Sequence, residues 1–197
     1  MKEQCFVLAS HNRGKLTEMR EILGELRIRV MSQADAGVDV EPEETGVTFE
    51  DNARIKAVAV MKAAGLPAVA DDSGLVVEAL GGEPGVYSAR YGGELAHTDA
   101  ERSALLLKNM EKVEHRAAKF VSVIAVAYPD GRILTARGEC RGEIARESRG
   151  SNGFGYDPVF LLPDGRHMAE LSSEEKNGIS HRGNALRELK RILTELD

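Results

Sequence analysis

The chain has 197 residues, 42% hydrophobic and 29% charged, which is enough for one packed α/β domain and short for two independent ones. Its net charge of −6 argues against a nucleic-acid polymer or an anionic membrane surface as partner, while a local basic pocket for a small anion stays compatible with it. The longest strongly apolar run, near 120–128, is too short to span a bilayer, and no signal peptide is expected from the N-terminal pattern.

An apolar stretch predicts a first strand over 4–9. It runs into the polar turn Ser10-His11-Asn12-Arg13-Gly14-Lys15. A helix is predicted over 14–24, with Leu16, Met19, Leu23 and Leu26 at helical spacing on one face. A short strand over 27–31 leads to an acidic loop, 39–46. A second helix is predicted over 49–64; its alanines and valines suit close packing, and Gly65-Leu66-Pro67 ends it. Ala68-Val69-Ala70 reads as the end of a strand, Asp71 and Asp72 lie between it and a Ser73-Gly74 turn, and 75–80 reads as another strand. A glycine-rich loop, 81–93, precedes Thr98-x-x-Glu101, a capping box opening a helix to about Met110. Residues 119–128 are apolar at nearly every position and predict a central strand; Pro129-Asp130-Gly131-Arg132 turns a hairpin and 133–141 returns. A second glycine-rich loop, 148–160, enters a short strand. Ser172-x-x-Glu175 caps a short turn. Ser180 caps a last helix over 181–196, buried along Ala185, Leu189, Ile192 and Leu196. Alternating strands and helices followed by a hairpin predict a mixed sheet with helices on both faces. Cys5 and Cys140 fall in predicted strands without zinc spacing or a disulfide framework, which fits buried thiols in a reducing cytoplasm.

Four clusters carry chemistry. In the first turn, Ser10, Asn12 and Lys15 sit where a strand meets a helix, so free backbone N–H groups and a cation face the same end. Lysine there is followed by Leu16, so this is no Walker A loop; the turn is either a solvated surface feature or an anion site. Glu41 to Thr45 and Ala70 to Gly74 each present adjacent carboxylates. Either they are solvated surface, or they converge on a cation, for which Mg²⁺ is the plausible choice. In Gly153 to Pro158, two glycines flank Phe154 and would leave its ring open to stack on a base, and Asp157 before a proline is expected to be extended and free to accept hydrogen bonds; the alternative is a core aromatic at a bulge. In Glu174 to Gly183, His181 and Arg182 put cations at a helix N-terminus, against the helix dipole, which implies a compensating ligand. The other four histidines, His11, His97, His115 and His167, read as surface residues.

Together these clusters resemble the inosine triphosphate pyrophosphatase family. "LASHNRGK", "EETGVTFEDNARIKA", "ADDSGLVVEALGGEPGVYSARYGG", "GFGYDPVF" and "EEKNGISHRGNAL" run in family order from Leu8 to Leu186. Ser10 stands where threonine is common and keeps the hydroxyl. The resemblance implies an elongated mixed sheet with helices, an α/β fold of two lobes around a substrate cleft, forming a single domain. It also implies cleavage of the non-standard purine triphosphates ITP, dITP and XTP to monophosphate and pyrophosphate, with Mg²⁺, by a cytoplasmic homodimer. By the same resemblance Ser10, His11, Asn12, Arg13, Gly14 and Lys15 hold the phosphates. Lys56 faces them, and Ser73 touches substrate. Glu43 or Glu44, together with Asp72, match the metal-binding positions, and Asp72 also matches the proton acceptor. Phe154, Gly155, Tyr156, Asp157, Lys176, His181 and Arg182 match the nucleobase and substrate pocket.

These residue types suit the reaction. Expelling pyrophosphate from the α phosphorus needs cations on the leaving group and a base for water, but no covalent nucleophile. Two rivals are a Maf-like nucleotidase with another base preference, against which "GFGYDP" and "SHRG" argue, and a nucleotide-binding regulator without turnover, which the intact Asp72 disfavours.

Overall fold

The computed structural model describes residues 4–25 and 27–196. Leu26, expected on the buried face of the first helix, and the side chain of Leu196 lie outside the described residues. The strands are β1 (Gln4–Leu8), β2 (Ile28–Met31), β3 (Ala68–Val77), β4 (Ala117–Ala127), β5 (Ile133–Ile144) and β6 (Phe160–Leu161). The helices are α1 (Arg13–Gly24), α2 (Phe49–Ala64), α3 (Asp99–Asn109), α4 (Ser173–Ile179) and α5 (His181–Leu196). Short 3₁₀ turns occupy Glu78–Leu80, Gly85–Arg90, Gly93–Leu95, Asp157–Val159 and Met168–Glu170.

The strands form one sheet in the order β2-β1-β3-β4-β5-β6. It is mixed: β1 runs parallel to β2 and β3, whereas β5 and β6 are antiparallel. The fold is the expected α/β sheet, with β4 in the middle of the order. The start of β3 is fixed by its pairing with β1, Val7 opposite Ala68 and Leu8 opposite Val69. β3 departs from the expectation. It is one strand of 10 residues that runs straight through Asp71-Asp72-Ser73-Gly74, and 78–80 is a 3₁₀ turn rather than its continuation. The two aspartates are therefore interior strand residues, and strand alternation sends their side chains to opposite faces.

The chain divides into two compact units. The first takes the chain up to Asp72, Ser122–Gly138 and the chain from Arg182 on. Its core joins Phe6 and Leu8 of β1, Met19 and Leu23 of α1, Val69, Ile124 and Val126, and Ala185, Leu186 and Leu189 of α5. The apolar spacing read for α1 and α5 is what this core buries. α2 is capped by Thr48, whose hydroxyl accepts from Asp51 N, and ends at Gly65 in the left-handed conformation (φ 65°). Its buried stripe is Phe49, Asn52, Ala53, Ala57 and Val60.

The second unit takes Ser73–Val121 and Glu139–His181. Its core gathers Leu75, Val77, Leu106, Met110, Phe120, Cys140, Ile144, Tyr156, Val159, Phe160, Met168 and Leu171. The Thr98 capping box opens α3 as expected, and a second box, Ser172 with Glu175, opens α4. His167 is no surface residue: it is buried, its Nδ1 lies 2.7 Å from Pro158 O, and it sits in a third capping arrangement with Glu170. His11, His97 and His115 are exposed.

Candidate active site

In the first unit, the chain leaves β1 at Ser10, whose hydroxyl accepts from Asn12 N at 3.1 Å. Asn12 is the N-cap of α1, accepting from Lys15 N at 3.1 Å. Arg13 opens the helix and is exposed; Gly14 is half-buried; His11 is exposed, 3.5 Å from Asp39. Of this turn only Lys15 reaches inward. Its ammonium donates to the Asp71 carboxylate at 2.8 Å and to Asp71 O at 3.3 Å. Burial lowers its pKa, aided by the neighbouring charges of Arg182 and Lys56 and opposed by Asp71.

Lys56 arrives at the same carbonyl from α2. Its ammonium donates to Asp71 O at 3.1 Å and Asp72 Oδ1 at 2.7 Å, and pairs with Glu44 at 2.9 Å. Burial pulls its pKa down, but Asp72 and Glu44 outweigh burial and hold the pKa above the ordinary lysine value. The structure separates the two candidate glutamates: Glu44 joins this cluster half-buried, and Glu43 is exposed. The acidic loop is pinned behind them, since Gly46 N donates to Asn52 Oδ1 at 2.8 Å and a side chain at Gly46 would strike Asp51 and Asn52.

The two strand aspartates have opposite characters. Burial raises the pKa of Asp72, with Glu44 adding to the rise and Lys56 opposing it, and its Oδ2 is buried with no hydrogen-bond partner. Asp71 is fully buried, yet Arg182 and Lys15 hold its carboxyl well below the usual range against the effect of burial. Arg182 Nη2 donates to Asp71 Oδ2 at 2.9 Å, Ser122 Oγ donates to Asp71 Oδ1 at 2.5 Å, and Arg182 Nη1 donates to Glu18. Arg182 is 1% exposed. The cation at the start of α5 is thus compensated by two carboxylates of the protein itself. Ser73, next in β3, is half-buried.

In the second unit, the Phe154 loop folds back on Asp157, whose Oδ2 accepts from Phe154 N at 3.0 Å and from Lys176 Nζ at 2.8 Å. Gly153 has φ +74°, and a Cβ there would fall on Asp157 Oδ2, so glycine is required at that position. Asp157 opens a 3₁₀ turn rather than the extended segment expected before Pro158. Lys176 lies inside α4, buried, with its ammonium 4.6 Å from the centre of the half-buried Phe154 ring. Asp99 of α3 accepts from Gly155 N at 2.8 Å. Phe154 and α3 residues such as Ser103 and Leu107 line a cavity of about 530 Å³. Tyr156 is a core residue whose hydroxyl donates to Ser88 O at 2.6 Å, and burial raises its pKa. His181 is buried, its ring stacked on Phe120 at 4.7 Å and 17°.

Residues 6–192 match the model of the Ham1 family. The chain belongs to that family. A Ham1 protein of known structure, from Staphylococcus aureus, superposes with a TM-score of 0.87 at 42% identity, covering 98% of this chain and all of that one. Among curated relatives, the dITP/XTP pyrophosphatase of Thermus thermophilus is 52% identical over 186 residues, 93% of this chain and 88% of that protein. The dITP/XTP pyrophosphatase of Bacillus subtilis is 49% identical over 196 residues, 98% of each. The Ham1 match spans both units described above, and it agrees with the resemblance drawn from the five sequence segments.

Glu18 and Ser122 were not singled out from the sequence. Ser122 is one hydroxyl in an apolar strand, and Glu18 is one acid on an exposed-looking helix face. The cue for Ser122 is a polar side chain in the middle of a strand that is apolar at every other position from Phe120 on. No comparable cue marks Glu18.

Among the described residues no group of three or more His, Cys, Asp or Glu is placed to hold a metal ion. The donors present nevertheless fit Mg²⁺. Asp72 Oδ2 is a buried carboxylate oxygen without a partner, and Glu44 lies across Lys56 from it. Mg²⁺ is commonly held by one or two carboxylates and completed by water and substrate phosphate.

Proposed function

We propose that this protein hydrolyses the non-standard purine nucleoside triphosphates ITP, dITP and XTP to the monophosphate and pyrophosphate. The observation that carries this reading is the convergence of two lysine ammoniums, Lys15 and Lys56, on one carbonyl of β3, beside a buried aspartate with an unpartnered oxygen. The names of the relatives above support it.

Lys15, Lys56 and the chain from Ser10 to Gly14 at the start of α1 take the triphosphate oxygens and offset the charge that grows on the leaving pyrophosphate. Asp72 orients a water molecule and takes its proton; its raised pKa makes it a better base than a solvated carboxylate. The water oxygen bonds to the α phosphorus, and the bond from that phosphorus to the bridging oxygen breaks with its electron pair leaving on pyrophosphate. Asp72 and Glu44 would hold Mg²⁺, which supplies further charge neutralisation at the phosphates. Phe154 stacks the base. Lys176, which pairs with Asp157 of the Phe154 loop, and His181 supply donors for the C6 oxygen that inosine and xanthine carry and adenine lacks. Arg182, engaged with Asp71 and Glu18, supports the phosphate side instead.

By family resemblance we also infer one catalytic domain acting as a cytoplasmic homodimer, without a membrane or nucleic-acid polymer as partner. No helix among the described residues is long and apolar enough to cross a membrane. Pyrophosphate release from ITP, dITP, XTP, GTP and ATP, each with and without Mg²⁺, tests the function. Release from the first three at rates well above ATP, and only with the metal, is expected. Equal rates on ATP, or no pyrophosphate from any of them, would contradict it.

A further inference from the structure

We propose that Asp71 is a positioning residue that presents the Lys15 ammonium to the phosphates. This rests on the reading of the site as one that cleaves triphosphates. Asp71 cannot meet solvent: it is 1% exposed, and its carboxylate is held from α5 by Arg182, from β4 by Ser122 and from α1 by Lys15. Arg182 is itself anchored by Glu18, which lies one turn after Lys15 on α1. The arrangement is therefore a chain, Glu18–Arg182–Asp71–Lys15, with a buried Arg182–Asp71 centre and two partly exposed ends on α1, of which Lys15 is the one at the β1–α1 turn.

A lysine on a four-carbon stem has much rotamer freedom to lose when it binds an anion. Asp71 removes that freedom in advance. It also lets two like charges share one carbonyl oxygen: Lys15 is balanced by Asp71 on one face of β3, Lys56 by Asp72 on the other. The cradle is thus built on two consecutive residues of a strand, and the carboxylate that chemistry does not touch is the one that sets its geometry.

The sign of the effect separates this role from simple electrostatics. Removing a carboxylate beside an anion site should tighten anion binding; removing a carboxylate that positions the cation should weaken it. The probe is inorganic pyrophosphate, titrated calorimetrically into the full chain without divalent metal, for wild type, Lys15→Ala, Asp71→Asn and the double variant. Lys15→Ala is expected to weaken binding about tenfold. Asp71→Asn is expected to weaken it by a similar factor, and the double variant to match Lys15→Ala within about twofold, because both changes act through one ammonium. Ser122→Ala removes a single hydrogen bond to Asp71 and is expected to weaken binding about threefold in the wild-type background and not in Lys15→Ala. It carries the test if Asp71→Asn does not fold. Unchanged or tighter binding in Asp71→Asn and Ser122→Ala, multiplicative losses in the double variant, or no pyrophosphate binding by wild type would overturn the proposal. The titration involves no turnover. Coupling seen in a protein that does not cleave ITP would sink the proposed function and leave this inference standing. Cleavage of ITP without coupling would do the reverse.

Discussion

Lys56→Met keeps the apolar stem of a half-buried side chain and deletes one ammonium. That ammonium donates to Asp72 Oδ1 at 2.7 Å and pairs with Glu44 at 2.9 Å. Burial already raises the Asp72 pKa, and Lys56 is the strongest influence opposing that rise. A hydrogen bond to a charged group contributes about 1.5–3 kcal/mol. Deleting Lys56 should therefore lift the Asp72 pKa further. Asp72 must be ionised to accept the water proton, so activity is lost as pH falls through its pKa. The acidic limb of kcat/KM should therefore move to higher pH, and the plateau should fall about 100-fold with the loss of a phosphate-facing cation. The assay is pyrophosphate release from ITP at fixed excess Mg²⁺, between about pH 5 and pH 9. An acidic limb that stays in place in a folded Lys56→Met protein would refute the coupling of Lys56 to Asp72 and, with it, the assignment of Asp72 as the base.

Asp72→Asn keeps the shape of the side chain and removes both base and metal charge; kcat should fall at least about 100-fold, with the thermal midpoint read in parallel to show that the fold persists. Arg116 is a structural staple of the second unit: its guanidinium donates to Met110 O, Val113 O, Ile144 O and Ala145 O at 2.6–3.0 Å. Arg116→Met strands these buried carbonyls and should cost at least about 3 kcal/mol in urea unfolding, a loss under about 1 kcal/mol being incompatible with that role. Burial pushes the Cys140 thiol from 9.0 to about 11, so at pH 8 its thiolate fraction is roughly 100-fold below that of an unperturbed thiol. Cys140 should react with a disulfide reagent only on unfolding, while the half-buried Cys5 reacts first; comparable rates for both would contradict the burial.

Much of the framework was legible because local signals agreed with tertiary demands. The Thr98 box, the Thr48-to-Gly65 limits of α2 and the apolar run of β4 each state their own element. β3 was misread because Asp, Ser and Gly are poor strand formers, so the propensity of Asp71 to Gly74 favours a turn. Its place between β1 and β4 in the sheet overrides that preference, and no local signal announces the pairing. The same limit explains Arg182. Its mismatch with the helix dipole implies a compensating ligand from the sequence, but the compensation comes from Asp71 and Glu18 of the protein itself, 111 and 164 residues away, which no local signal announces. His167 was invisible for the same reason: its buried bond to Pro158 O depends on how the Phe154 loop closes. Lys15, Asp72 and Glu44 are marked as chemically apt by their residue types and surroundings, and Lys56 by the family resemblance. That they share one strand carbonyl and one ammonium could not.

In the proposed reaction water attacks the α phosphorus of a non-standard purine triphosphate. Hydrolysis of ITP in oxygen-18 water, with mass analysis of both products, measures it directly. IMP carrying one labelled oxygen and unlabelled pyrophosphate are expected. Label in pyrophosphate, or IDP with labelled phosphate, would contradict it.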